Sequence, residues 1–321
     1  MSFIKNSRVL VTGSTGFFGK NLIPELEKAN CELITPTRSE YDLTRQDAVE
    51  RLLNKTKPDL VIHLASLVGG VMANKNSPAD FYYRNILPQT FMMHESYKNN
   101  VKKFVTLMGG CSYPSDAISP ISEDQMWDGY PQMESAPYST AKKMNIVMSK
   151  AYREQYGFNS IVLVPGNIYG PWDNFDLTNS HVIPALIRKY DSAKNDSSPA
   201  VTAWGSGKPT RDFIYISDAV ECVLKAVEIY NESEIINIST GTRTSIKELT
   251  TTISDVVGYK GSIEWDSSKP DGQLEKIFDV TRMSRVLDFE PKVSLRDGLS
   301  KTYRWYKENT ESIRFNEPVC Y

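Results

Sequence analysis

The sequence has few of the residues on which several classes of protein depend. Four cysteines in 321 residues form no CxxC pair, so no disulfide framework is expected and the chain is interpreted as a reduced, cytoplasmic protein. The three histidines, His63, His94 and His181, lie far apart and predict no metal site. No apolar run approaches about 18 residues and no signal-peptide pattern opens the chain, so no membrane-spanning helix is expected.

Neither sign of charge dominates the composition. The 37 Lys and Arg residues oppose 39 Asp and Glu residues, the net charge is -2, and the basic residues are scattered. This pattern predicts neither a nucleic acid nor a membrane surface as a partner. The hydrophobic content of 40% is enough to bury the core of one large domain or two unequal ones.

Short apolar runs alternate with stretches of helical periodicity along the chain. The predicted strands are 9–11, 33–34, 60–62, 104–107, 161–164 and 235–238, and the predicted helices are 21–28, 46–55, 85–99, 139–156 and 218–230. The segment 191–199 is polar and predicts a loop, and 208–217 predicts extended chain. This alternation favours an α/β fold with a Rossmann-type doubly wound parallel sheet and a smaller, interleaved substrate-binding part.

A glycine-rich loop follows the first predicted strand and opens the first predicted helix. Its glycines permit a tight turn and a close approach of the backbone to a pyrophosphate, and the helix N-terminus supplies N–H groups. The second strand ends in Ile34-Thr35-Pro36-Thr37-Arg38, with no carboxylate for a ribose 2′-hydroxyl, whereas Arg38 can pair with a 2′-phosphate. The sequence therefore predicts NADP(H) as cofactor. The residues predicted to bind it here are Gly13, Thr15, Gly16, Phe17, Phe18, Gly19 and Arg38.

Tyr138 and Lys142 lie four residues apart at the start of a predicted helix, so their side chains share one face. A nearby ammonium favours tyrosinate and is expected to lower the pKa of the phenol, which lets it exchange a proton with a carbonyl oxygen. Tyr-x-x-x-Lys is common by chance, but the glycine loop upstream makes the combination specific.

These motifs resemble the extended short-chain dehydrogenase/reductase family over nearly the whole chain, and within it the GDP-L-fucose synthase branch. The segments that carry the resemblance are 67–70, 79–81, 111–114, 137–142, 167–175, 179–186, 204–207, 211–213 and 279–282. The resemblance implies an NADP-dependent oxidoreductase that epimerises a GDP-linked 4-keto sugar at C3 and C5 and reduces its C4 ketone. The sugar would be a 6-deoxyhexose or a heptose.

The resemblance also implies roles for single residues. Cys111 and His181 occupy the positions that exchange protons at the carbons beside the ketone, while Tyr138 protonates the C4 oxygen. It adds to the cofactor-binding residues Ala65, Lys142, Pro165, Asn167 and His181. The implied substrate-binding residues are Asn167, Lys189, Trp204, Arg211 and Lys276.

The chain is expected to divide into two interleaved domains. Residues 1–172 plus about 213–240 would form the NADP-binding Rossmann domain, and about 173–212 plus 241–321 the nucleotide-sugar-binding domain. The helical stretch 85–99, and the helix that follows Tyr138, look too apolar for a single buried face. In the family that the chain resembles, such helices pair across a dimer, so a homodimer is expected.

One position departs from the family pattern. Where the family usually has a serine or threonine that binds the C4 oxygen, this chain has Gly109. Loss of such a donor typically costs about 10²–10³ in rate, and Thr106, Ser112, a backbone N–H or water are candidates to replace it. A C4 reductase without epimerisation, and a relative acting on another GDP-4-keto sugar, therefore stay open. The remaining alternatives are a nucleotide-sugar 4,6-dehydratase, although residues 111–112 offer no acid for it, and a non-catalytic NADPH-binding regulator.

Overall fold

The computed structural model describes residues 2–177, 180–269 and 271–313, without the side chains of residues 71 and 312. Several features named from the sequence lie outside this range. They are Asn179 of the segment before His181, Cys320, and the ends of the two predicted domains at residues 1 and 314–321.

The order of strands and helices alternates through the first half of the chain. The strands are β1 Arg8–Thr12, β2 Glu32–Ile34, β3 Leu60–His63, β4 Lys103–Leu107, β5 Ser160–Pro165, β6 Asn167–Tyr169, β7 Ala200–Trp204, β8 Thr210–Arg211, β9 Phe213–Tyr215, β10 Ile236–Ile238, β11 Thr244–Ser245, β12 Ser262–Asp266 and β13 Glu275–Lys276. The α-helices are α1 Phe17–Lys28, α2 Gln46–Thr56, α3 Val71–Asn76, α4 Pro78–Lys98, α5 Ala136–Tyr156, α6 Val182–Asn195, α7 Ile216–Ile229, α8 Ile246–Val257, α9 Thr281–Leu287 and α10 Leu295–Glu308. Short 3-10 helices are η1 Gly110–Ser112, η2 Glu123–Trp127, η3 Met133–Ser135 and η4 Thr310–Ser312.

Six strands form one parallel sheet in the order β10-β5-β4-β3-β1-β2. Successive side chains of a strand point to opposite faces, and β1 uses both faces. Val9 and Val11 join the cluster that includes Leu22 of α1, whereas Leu10 joins the cluster that includes Leu53 of α2 and Met92 of α4. Helices thus cover both faces, which explains the continuous apolar runs and confirms the doubly wound fold predicted from the sequence.

Smaller sheets follow the Rossmann strands. β8 pairs with β11 and β13, β7 pairs with β12, and β6 pairs with β9. The extended stretch predicted at 208–217 contains β8 and β9, but its last two residues already belong to α7, which begins at Ile216. Among the described helices, none is long and apolar enough to cross a membrane.

The loop predicted at 191–199 is wrong in its first five residues, because α6 continues to Asn195. The polar residues that predicted a loop can belong to a helix because the first of them has partners inside the protein. Asp191 is buried and accepts hydrogen bonds from Tyr303 at 2.7 Å and Lys307 at 3.1 Å. The preceding Tyr190 is fully buried against Tyr259, with 5.4 Å between ring centroids. Contacts with distant segments therefore outweigh the local polar composition.

Candidate active site

The loops that follow four central strands meet at one edge of the sheet. Because β1, β3, β4 and β5 run parallel, their carboxyl ends lie at the same edge. Each loop carries part of the predicted site: residues 13–19 after β1, 65–69 after β3, 109–111 after β4, and 165–167 at the end of β5.

The glycine loop is shaped for close approach of another group. Gly13 has a φ of +70°, and a Cβ there would lie 2.7 Å from the backbone nitrogen of Ala65. Gly16 precedes α1 in extended conformation, so the first N–H groups of the helix lie at the end of the loop without a side-chain cap. Gly13 thus lets the loop pack against the backbone after β3, and the uncapped N–H groups at the start of α1 fit the pyrophosphate of a dinucleotide.

A cleft runs along this loop and continues past β3. Its walls are formed by Gly13, Gly16, Phe17, Phe18, Gly19, Leu64, Ser66, Val68, Gly69, Trp172, Asp173, Asn174 and His181. The structure thus places the predicted Phe17, Phe18 and His181 around one space. His181 is the residue before α6 and makes no side-chain capping hydrogen bond; it keeps contact with solvent, and desolvation lowers the pKa of its imidazole.

Two cations follow the first two strands: Lys20 lies on α1 after β1, and Arg38 lies after β2. Arg38 is exposed after β2, and its charge lowers the pKa of the Asp42 carboxyl, although hydrogen bonding by Thr44 contributes more. Lys20, which was not predicted, lies 3.7 Å from the ring centroid of Trp172 beside a second cavity. Its position directly after the third glycine of the loop is the signal that could have found it. Thr15 is exposed at the top of the loop.

Tyr138 and Lys142, both buried, cluster with the half-buried Cys111 at the carboxyl end of β4. Tyr138 and Lys142 are 9% and 4% exposed on the first turns of α5, and Cys111 lies in η1. Phe81 contacts the Tyr138 ring edge-on at 6.3 Å. Burial lowers the pKa of Lys142 to about 8, and the proximity of Cys111 opposes that shift.

The predicted lowering of the Tyr138 pKa by Lys142 is wrong for this structure. Burial raises the pKa of the phenol, the nearby Cys111 raises it further, and the Ser66 hydroxyl acts in the opposite direction. The reason is that the pair lies inside the protein, where desolvation of the phenolate outweighs the benefit expected from a neighbouring ammonium.

Gly109 marks the place of the missing hydroxyl. A Cβ at this position would lie 3.1 Å from Sγ of Cys111 and 3.4 Å from the hydroxyl of Tyr138. A serine or threonine there would therefore contact the phenol. Of the replacements named from the sequence, the Thr106 hydroxyl donates to the carbonyl of His63 at 3.4 Å, and the Ser112 hydroxyl donates to the carbonyl of Ser139 at 3.1 Å.

Lys276 and Arg211 lie side by side in the sheet formed by β8, β11 and β13, and Lys276 lies near Cys111. They are partners in the β13–β8 register, and the charge of Lys276 is within electrostatic reach of Cys111. Burial lowers the pKa of both cations. Asp212 is the residue between β8 and β9; burial raises its pKa to about 6, and its carboxylate accepts a hydrogen bond from the Phe278 N–H at 3.1 Å.

The other predicted substrate residues lie on β6, α6 and β7. The Asn167 amide donates to the Asp212 carbonyl at 2.8 Å, so it also joins β6 to β9. Lys189 of α6 donates to the carbonyl of Thr202, and two residues further along β7 Trp204 is 71% exposed. Pro165 ends β5 beside Asn167. In the described ranges, no group of three His, Cys, Asp or Glu side chains is placed to hold a metal ion.

Known proteins share this sequence and architecture. The profile of the NAD dependent epimerase/dehydratase family matches residues 9–239. A GDP-L-fucose synthase of Sinorhizobium fredii (strain NBRC 101917 / NGR234) is 41% identical over 309 residues, which cover 96% of this chain and 98% of that protein. A GDP-L-fucose synthetase from Naegleria fowleri, solved with NADP bound, has a TM-score of 0.91 at 29% identity, covering 98% of this chain and 96% of that one. A GDP-mannoheptose C4 reductase from Campylobacter jejuni with NADP bound has a TM-score of 0.85 at 31% identity, covering 94% and 98%.

The match extends from β1 to the residue after β10, so it includes the glycine loop and the start of α5 with Tyr138 and Lys142. The comparisons confirm the family resemblance found in the sequence. The chain belongs to the NAD dependent epimerase/dehydratase family, with the fold and the Tyr-x-x-x-Lys pair of the extended short-chain dehydrogenases/reductases.

Proposed function

We propose that this protein is an NADPH-dependent C4 reductase of a GDP-linked 4-keto sugar that also epimerises C3 and C5. The observation that carries the proposal is the cluster that the buried Tyr138 and Lys142 form with the half-buried Cys111. The near full-length similarity to a protein described as GDP-L-fucose synthase supports the substrate class.

The cleft would hold the cofactor along the glycine loop. The N-terminus of α1 would take the pyrophosphate, with Phe17 and Phe18 lining the cleft, and Arg38 would take the 2′-phosphate. Lys189, Trp204, Arg211 and Lys276 would hold the GDP-sugar with cations and one exposed aromatic platform. We also propose the division into a Rossmann domain and a nucleotide-sugar domain at the boundaries expected from the sequence.

Each group of the cluster has a distinct task in this chemistry. NADPH, when bound in the cleft, supplies the hydride that C4 receives. Tyr138 donates its proton to the C4 oxygen as that oxygen gains charge, and Lys142 compensates the phenolate that remains. Cys111 and His181 exchange protons with the carbons beside the ketone, whose C–H bonds are acidic enough for a positioned base.

A reductase without epimerase activity is the second candidate, and Gly109 is the observation that favours it. The missing hydroxyl leaves the C4 oxygen with fewer donors, and a similar protein from Campylobacter jejuni is described as a GDP-mannoheptose C4 reductase. In that case the substrate would be a GDP-4-keto heptose or another 4-keto sugar that is already epimerised.

The test mixes the purified protein with NADPH and GDP-4-keto-6-deoxymannose in deuterium oxide. Falling absorbance of reduced nicotinamide reports reduction, and deuterium at C3 or C5 reports epimerisation. A reductase alone would oxidise NADPH without deuterium uptake. A 4,6-dehydratase or a non-catalytic regulator would oxidise none, and this result would contradict the proposal.

Variants separate the two activities. Tyr138→Phe is expected to abolish NADPH oxidation while deuterium uptake stays measurable, because the phenol serves only the hydride step. Cys111→Ala is expected to stop uptake, and His181→Asn to slow it by roughly 10²–10⁴ or change the product stereochemistry. Unchanged uptake in Cys111→Ala would contradict the epimerase role and leave the reductase role standing.

We further propose that the protein is a cytoplasmic homodimer. Helices α4 and α5 pack against each other, and both leave large apolar side chains exposed, including Tyr82, Tyr83 and Val147. Burying these in a second copy of the same helix pair would remove the apolar surface from water.

A further inference from the structure

The ring of Phe278 packs against the backbone of η1, the three-residue helix that carries Cys111. Phe278 is 2% exposed. A Cβ added at Gly110, the residue before Cys111, would overlap Cζ of this ring and lie 3.1 Å from Cε1. A Cβ added at Gly166, directly after β5, would lie 3.2 Å from Cδ2 of the same ring. Phe278 therefore fills the space between the loops that follow β4 and β5, and both glycines leave room for it.

The backbone of Phe278 is fixed by hydrogen bonds on and around it. Its own N–H donates to the buried carboxylate of Asp212 at 3.1 Å. The carbonyl of Ile277 accepts from the N–H of Ile121 at 2.7 Å, and the N–H of Asp279 donates to the carbonyl of Ile121 at 2.9 Å. These bonds leave the ring little freedom to shift away from the helix on which it packs.

Two side-chain hydrogen bonds hold the other end of η1. The Ser112 hydroxyl donates to the carbonyl of Ser139 at 3.1 Å, which ties η1 to the residue after Tyr138. The Tyr113 hydroxyl donates to Oδ1 of Asn237 in β10 at 2.6 Å. Both bonds are made by residues after the cysteine, so packing against the ring is what constrains the backbone just before it.

The thiol of Cys111 lies close to the phenol of Tyr138. A Cβ at Gly109 would lie 3.1 Å from Sγ of Cys111 and 3.4 Å from the Tyr138 hydroxyl, so both groups reach one point. A shift of the η1 backbone would change the position of the thiol relative to the phenol and to a substrate between them. Misplacement of a reacting group by 1 Å can cost about 10²-fold in rate.

We propose that Phe278 is a positioning residue for Cys111, because its ring, packed on Gly110, sets where the thiol stands relative to the substrate carbon that exchanges its proton. The inference rests on the proposed role of Cys111 in that exchange, and Phe278 itself touches no reacting atom. Phe278 lies two residues after Lys276 of β13, which is proposed to hold the GDP-sugar. One segment would therefore contact the substrate and also position the thiol.

The test is a double-mutant cycle on the full-length protein with Gly110→Ala, Phe278→Leu and the combined variant. The φ of Gly110 lies outside the left-handed region, so the added methyl group meets the ring without backbone strain. We expect Gly110→Ala to lower deuterium uptake at C3 or C5 roughly 10- to 100-fold. Leucine lacks Cζ and both Cε atoms, so the combined variant should recover to within about threefold of Phe278→Leu alone.

Alkylation of Cys111 by iodoacetamide, followed by peptide mass spectrometry, reports on the thiol without any substrate. Phe278→Leu opens space beside Gly110, so Cys111 should react at least about threefold faster in this variant. The rate at Cys31, which lies between α1 and β2, should stay the same. This measurement separates the inference from the proposed function: if the unmodified protein takes up no deuterium, the epimerase function fails and alkylation alone decides the positioning role.

Phe289→Leu is the matched control, because it removes the same atoms from a ring that is 3% exposed in a different core cluster. It should leave uptake and alkylation within about twofold of the unmodified protein. If Phe278→Leu does not fold, Phe278→Met takes its place, since methionine adapts to irregular gaps. The inference is wrong if Cys111 reacts at one rate in Gly110→Ala, Phe278→Leu and the unmodified protein. It is also wrong if Gly110→Ala lowers uptake as strongly in the Phe278→Leu background as it does alone.

Discussion

At the residue scale, we propose that the choice of cofactor depends on one exposed cation, Arg38. Arg38 follows β2, where a carboxylate would select a ribose 2′-hydroxyl, and the stretch 34–38 has none. We expect NADPH to bind at least about tenfold more tightly than NADH, equivalent to about 1.4 kcal/mol. Arg38→Ala should shrink this preference in paired fluorescence titrations. Arg51→Ala, which removes the same charge from α2, should leave it unchanged, and equal affinities in the unmodified protein would refute the argument.

A second residue, His63, lies buried below the cofactor loop, and its protonation makes the stability of the protein depend on pH. It ends β3, is 1% exposed, and its Nδ1 lies 2.8 Å from the Thr12 hydroxyl. Burial, and next the charge of Lys142, lower its pKa from 6.5 to about 3. Between these values the unfolded chain binds a proton that the folded protein does not, so stability falls as pH drops from about 6.5 to about 3.

The prediction for His63 concerns the slope of the unfolding free energy against pH. One proton corresponds to about 1.4 kcal/mol of unfolding free energy per pH unit at most. His63→Asn should flatten the acid limb of the unfolding free energy measured by urea titration at several pH values. His181 also has a lowered pKa, so part of the slope should remain. An identical slope in both proteins would show that His63 is not the group responsible.

Sequence reasoning located the residues with a distinctive type and missed those with an ordinary one. Tyr138, Lys142 and the glycine loop have spacings that only a few local structures satisfy. Ser66 is one serine among many, and only the folded chain places it, in the loop after β3, in the wall of the cleft. The pKa of Tyr138 was predicted in the wrong direction because spacing along a helix carries no information about burial.

At the element scale, helix α6 is held in place by contacts that its own sequence does not specify. The polar segment from Asp191 predicted a loop, yet Asp191 is buried beneath α10, where Tyr303 and Lys307 donate to it. The strands of the main sheet were predicted more accurately, because burial on both faces leaves a continuous apolar run that can be recognised locally. Polar residues buried by distant partners leave no such pattern.

Removing the Asp191 carboxylate should therefore destabilise the protein. Asp191→Ala leaves the Tyr303 hydroxyl and the Lys307 ammonium without their acceptor, and we expect a loss of roughly 1–3 kcal/mol of unfolding free energy. Asp196→Ala, an exposed position just after the same helix, should cost less than about 0.5 kcal/mol. Equal losses in denaturant titrations of the two variants would contradict the anchoring role of Asp191.

At the scale of the whole molecule, the exposed apolar side chains of α4 and α5 predict self-association. Val147 is 50% exposed on α5, and Val147→Arg would place a charge in the proposed interface. We expect the unmodified protein to be a dimer by light scattering at micromolar concentration and Val147→Arg to be a monomer. Ile229→Arg on α7, where the native side chain is 51% exposed, should stay dimeric. A monomeric unmodified protein would rule out this interface.

The position of β10 at the end of the sheet has a consequence for synthesis. β10 completes the sheet by pairing with β5, yet residues 166–235 separate the two strands along the chain. A ribosome adds about 5–20 residues per second, so the outer edge of β5 has no strand partner from this chain for roughly 4–14 s. During that interval a parallel edge with free amide and carbonyl groups is open to other nascent chains. The β5 edge is therefore open to misassembly before release from the ribosome, when chaperones that bind nascent chains can still act.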